Sequence, residues 1–63
     1  MTNKKIYYHI LEHGNYGNIG WQGYETTPEA AKKRISDLSE MFPNSYFEIF
    51  PDTSKNEPPI TTI

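Results

Sequence analysis

Two histidines, His9 and His13, are the first residues to examine for chemistry, because four-residue spacing would place both imidazoles on one metal if they lay on a helix. They fall instead in Lys5-Ile6-Tyr7-Tyr8-His9-Ile10-Leu11-Glu12-His13, a run rich in β-branched and aromatic types without Gly or Pro, which reads as a strand. On a strand the two rings stand roughly 13 Å apart, too far to share one ion. No metal site is therefore expected. Gly14, Gly17, Gly20 and Gly23 recur every third residue, but they lead into Trp21 and a strand instead of a helix N-terminus, with no Lys placed to meet a phosphate. Turns and bulges account for them, and no cofactor is expected.

The carboxylates Glu12, Glu25, Glu29, Asp37, Glu40 and Glu48 are scattered over different elements, so no acid–base pair is indicated. A chain of 63 residues also lacks a second layer from which to build a deep, water-excluding cleft. The expectation is a protein that is not an enzyme. Lys32-Lys33-Arg34 is a short basic cluster, and consecutive helical positions spread it over about 200° of circumference, so it reads as a solvated face.

What remains is the aromatic load. Tyr7, Tyr8, Trp21, Tyr24, Tyr46, Phe47 and Phe50 all sit in segments that read as extended. The first strand puts Ile6, Tyr8 and Ile10 on one face and Tyr7, His9, Leu11 and His13 on the other. After a turn at Gly14-Asn15-Tyr16-Gly17-Asn18, a second strand is expected from Ile19 to Glu25, with Ile19 and Trp21 on one side and Gln22 and Tyr24 on the other. Gly20 and Gly23 within it suggest a bulge or a close backbone approach. Thr26-Thr27-Pro28-Glu29 is a helix start with a hydroxyl cap, a first-turn proline and an acid near the positive dipole end. The helix should run to about Met41, burying Ala31, Ile35, Leu38 and Phe42. A third strand spans residues 45–50 and is expected to end at Pro51.

These elements predict an α+β fold: a small ββαβ domain over residues 1–51 with a three-stranded antiparallel sheet in order 2-1-3 and one helix on one face, connected right-handedly. Residues 52–63 read as a flexible polar C-terminal tail. The helix-covered face should hold Ile6, Tyr8, Ile10, Ile19, Trp21, Phe47 and Ile49. That leaves Tyr7, His9, Leu11, Gln22, Tyr24, Tyr46, Glu48 and Phe50 on the uncovered face. A single molecule seldom leaves such a patch unused. The competing expectation is that the tail folds back over it, or that a bulge at Gly20 or Gly23 reverses the parity of one strand.

Zero cysteines remove disulfides and thiolate metal sites, so a domain this small is expected to gain stability by association. A net charge of −2 supplies no field toward nucleic acid or an anionic membrane. No apolar run approaches the roughly 20 residues that span a bilayer, and residues 1–5 lead into a strand instead of a signal-peptide core, so a cytoplasmic protein without membrane contact is expected. The leading expectation is a protein-interaction module, self-associating as a homodimer or holding a protein partner, with Tyr7, His9, Leu11, Tyr24, Tyr46 and Phe50 as its binding residues. The alternative is a single-stranded nucleic-acid binder stacking bases on the same tyrosines, although the second and third strands carry no Lys or Arg for phosphates. A third is a small-molecule or peptide sensor with the Gly14 to Gly23 hairpin as a pocket rim.

The ββαβ order, the Tyr-rich strands, the Thr27-Pro28-Glu29-Ala30-Ala31 helix start and the short polar tail resemble, over residues 5–50, small accessory proteins of bacteriophages and other mobile elements. That resemblance implies a binding factor that inhibits a host defence or regulatory protein.

Overall fold

A computed structural model describes residues 5–60 of the chain. Strand β1 (Tyr7–His13) is followed by a single 3-10 turn, then strand β2 (Ile19–Glu25), helix α1 (Pro28–Met41) and strand β3 (Tyr46–Asp52). The strands form one antiparallel sheet in order β2-β1-β3, with the helix packed on one face, which is the α+β arrangement the sequence predicts. The thinnest Cα extent is 12 Å, little more than the depth of two packed layers.

Local chemistry explains the boundaries. At the start of α1 the Thr27 side chain accepts a hydrogen bond from the Ala30 amide at 3.1 Å, and Pro28 occupies a position whose amide no helical partner requires. At its end the Phe42 amide still donates to the Leu38 carbonyl, after which the Phe42 backbone leaves the helical region and Pro43 follows. In the β1–β2 connection Tyr16 and Gly17 both adopt positive φ, 63° and 75°, which reverses the chain within three residues. Strand β3 continues through Pro51 to Asp52 instead of ending at the proline. An edge strand tolerates proline where the missing amide would face outward, and Pro51 still pairs with Tyr8.

The β1–β2 register carries the main departure from simple alternation. His9 lies opposite Tyr24 and Leu11 opposite Trp21, so one step on β1 faces two residues on β2. This is a bulge at Gln22-Gly23, and Gly23 takes φ 92°, a conformation that glycine reaches without steric cost. One extra residue reverses the parity of the strand before it. Ile19 and Trp21, expected beneath the helix, therefore lie on the opposite face with His9, Leu11 and His13. Gln22, expected on that opposite face, instead donates to Glu12 at 2.6 Å.

The bulge also seats the helix. A Cβ at Gly23 would stand 3.1 Å from Arg34 Nη2, and the space it leaves lets the Arg34 guanidinium reach the Glu25 carboxylate at 2.6 Å. Beneath α1 the core is small: Ile10 and Ala31 are fully buried, while Ile35, Leu38, Phe47 and Ile49 are half-buried. Glu12 closes one end of this layer. Its two oxygens accept from Gln22 and from the Ser45 hydroxyl, linking β1 to β2 and to the turn before β3.

Candidate functional site: an aromatic sheet face

The face turned away from α1 gathers most of the aromatic rings. Parity on β1 and β3 and the bulge on β2 together place Tyr7, His9, His13, Trp21, Tyr24, Tyr46 and Phe50 there. The rings meet edge to face: Tyr7 with Tyr24 at 5.1 Å, His9 with Tyr24 at 5.6 Å, His9 with Trp21 at 5.9 Å and Trp21 with Phe50 at 5.6 Å. Such T-shaped pairs add about 0.5–1.5 kcal/mol each beyond burial and fix ring orientation. At the far end His13 stacks flat on Tyr46, centroids 4.4 Å apart.

The predicted binding residues divide by depth. His9 and Leu11 are buried and form the floor, and Tyr7 is half-buried against Tyr24. Tyr24 and Phe50 each keep 37% of their surface exposed and Tyr46 keeps 64%. Ile19 and Trp21 join the face although simple alternation assigned them elsewhere. The signal for them was Gly23, since a glycine inside a strand marks where alternation can slip.

Residues after β3 cover part of this floor. His9 Nε2 lies 2.9 Å from the Ser54 carbonyl, so this nitrogen carries the proton and donates, while Nδ1 is buried with no partner among the described residues. Further along, Pro58, Pro59 and Ile60 form one wall of an open groove of about 280 Å³ whose other sides come from the sheet, including Leu11, Trp21, Glu48 and Phe50. At its edge His13 Nε2 donates to Glu48 Oε1 at 2.5 Å. A second, more polar cavity of about 400 Å³ lies beside the Gly14–Asn18 turn, but its one carboxylate, Glu12, already has both oxygens bonded.

The two histidines thus serve different neighbours, His9 the chain after β3 and His13 the Glu48–Tyr46 end of the sheet. Among the described residues no group of three or more His, Cys, Asp or Glu side chains is placed to hold a metal ion. No described helix is long and apolar enough to cross a membrane.

Fold and face together define a small α+β domain with one layer of helix and an aromatic surface on the reverse of its sheet. No protein-family model matches the chain, and neither a curated protein nor a solved structure matches it.

Proposed function

We propose that the chain is a non-enzymatic protein-interaction module that binds through the aromatic face of its sheet, either to a second copy of itself or to another protein. The observation that carries this reading is the concentration of exposed ring surface at Tyr24, Tyr46 and Phe50 over a buried, cross-braced floor. Rings held in place before binding lose little side-chain freedom when they are covered, which is why tyrosine and tryptophan serve as interface anchors. His9 and Leu11 support the anchors from below, and Tyr7 braces Tyr24.

Inhibition of a host protein by a phage-type accessory factor is one biological setting for such a module. A symmetric dimer is its simplest form, because a twofold axis lets the same patch cover itself. The charge on the face argues against base stacking. Glu48 and Asp52 lie on it, and β2 and β3 supply no Lys or Arg to meet phosphates.

The test is the solution mass of the wild type beside Tyr46→Ser and Phe50→Ser, with capture of partners from a host lysate as its second arm. The expected result is a dimer, or a captured protein, lost in both variants while their circular dichroism is unchanged. Association should hardly respond to added salt. A steep fall with salt together with binding of single-stranded DNA or RNA would replace this reading. A wild type that stays monomeric at millimolar concentration and captures nothing would remove it.

A further inference from the structure

The groove on the aromatic face has the composition of a site for an organic cation. Trp21 and Phe50 meet at 5.6 Å with their planes 81° apart, so they form a right-angled corner in which a flat cation can lie on one ring and abut the other. Leu11 forms the floor, and Pro58 and Pro59 the facing wall. Among the described residues Glu48 is the one carboxylate on the groove, and no Lys or Arg lines it. Half of the Glu48 side chain is exposed, and while Oε1 accepts from His13, Oε2 has no partner among the described residues.

We propose that this groove receives an arginine side chain presented by the protein that binds the aromatic face. A guanidinium fits better than an ammonium for three reasons. It is planar and stacks on an aromatic face, it is weakly hydrated and so enters an apolar corner at lower cost, and its N–H groups can reach a carboxylate from the stacked position. The volume suffices, since a cavity of about 150 Å³ already holds a benzene molecule and this one is about 280 Å³. The only arginine of this chain, Arg34, is engaged with Glu25 on the opposite side of the sheet, so the ligand comes from a different protein and not from a second copy.

This assignment rests on the interaction-module reading, but it is tested apart from it. The probe is a capped Gly-Arg-Gly tripeptide titrated into the full chain, with its citrulline counterpart as a neutral isostere. Binding is read from the fluorescence of Trp21, the only tryptophan, and from amide shifts of Leu11 and Glu48. The arginine peptide should saturate in about the millimolar range, as expected for a single anchoring side chain. Citrulline should bind about tenfold more weakly.

Glu48→Gln keeps an oxygen for His13 while removing the charge, and should weaken the arginine peptide by about tenfold as well. Phe50→Leu, which keeps the groove apolar but removes one wall of the corner, should weaken it about threefold or more. Equal binding of arginine and citrulline, or no saturation by about 50 mM at probe sites in a folded wild type, would overturn the proposal. Saturable, charge-dependent binding in a chain that neither dimerises nor captures a protein would uphold the cation site and count against the interface reading alone.

Discussion

His9 bears two loads that separate variants can distinguish. Its ring fills the floor between Trp21 and Tyr24, and its Nε2 holds the Ser54 carbonyl. His9→Ala removes both the ring and the bond, and is expected to cost about 2–4 kcal/mol by cavity formation. His9→Phe refills the floor and discards the unpartnered Nδ1 but forfeits the bond to Ser54, so its cost should be about 1 kcal/mol. Urea unfolding of the two variants supplies the comparison. Equal losses would mean that the ring contributes no packing beyond the hydrogen bond. Glu12 offers a contrast, because both of its oxygens are satisfied by Gln22 and Ser45, and Glu12→Ala would leave two donors without their acceptor.

At the scale of the elements, the bulge in β2 decides which residues form the site. With Gly23 at φ 92° and Arg34 Nη2 3.1 Å from where its Cβ would lie, Gly23→Ala is strained by its backbone and crowds the Arg34–Glu25 pair. The expected cost is about 1–3 kcal/mol, seen as a fall in Tm of about 5 °C or more. An unchanged Tm would mean that the strand relaxes to an unbulged register, which a loss of the His9–Trp21 and Trp21–Phe50 ring contacts would reveal.

The same bulge explains how far the sequence could be read. Strand periods, the Thr27 cap and the order 2-1-3 all follow from local patterns, and the structure has them. The helix stripe is met only in part: Ala31 is buried and Ile35 and Leu38 are half-buried, but Phe42, expected to be buried with them, stays 40% exposed because its backbone has already left the helix. Parity along β1 and β3 also placed Tyr7, Tyr46, Glu48 and Phe50 together correctly. Simple alternation misplaces Trp21 and Ile19 because it counts residues, and one extra residue on β2 between Trp21 and Tyr24, opposite the step from His9 to Leu11, inverts everything on its far side. Gly20 and Gly23 advertised that possibility without saying which of them would slip. The continuation through Pro51 was equally hidden, since only the position of β3 at the edge makes its missing amide harmless.

For the molecule as a whole, β1 lies between two strands, with α1 over one face and residues 54–60 over part of the other. Hydrogen exchange should therefore be slowest along β1 and faster at the outward amides of β2 and β3, which no strand among the described residues protects. The cover on the aromatic side is the thinner of the two, and one observable isolates it. Trp21 is the only tryptophan and shares the groove with Pro58 and Pro59, so its accessibility reports whether this wall stays in place. A Pro58→Ser/Pro59→Ser chain gains backbone freedom that a docked wall must give up, and its folded sheet is otherwise untouched. Acrylamide should quench Trp21 faster in that variant than in the wild type while the melting of the sheet hardly moves. Self-association should then strengthen, because less of the face is covered by the chain itself, whereas arginine binding should weaken with the loss of the wall that faces Trp21 and Phe50. Quenching identical to the wild type would show that Ser54 on His9 suffices to hold the cover, and combining the double variant with His9→Phe would then be required to open the face.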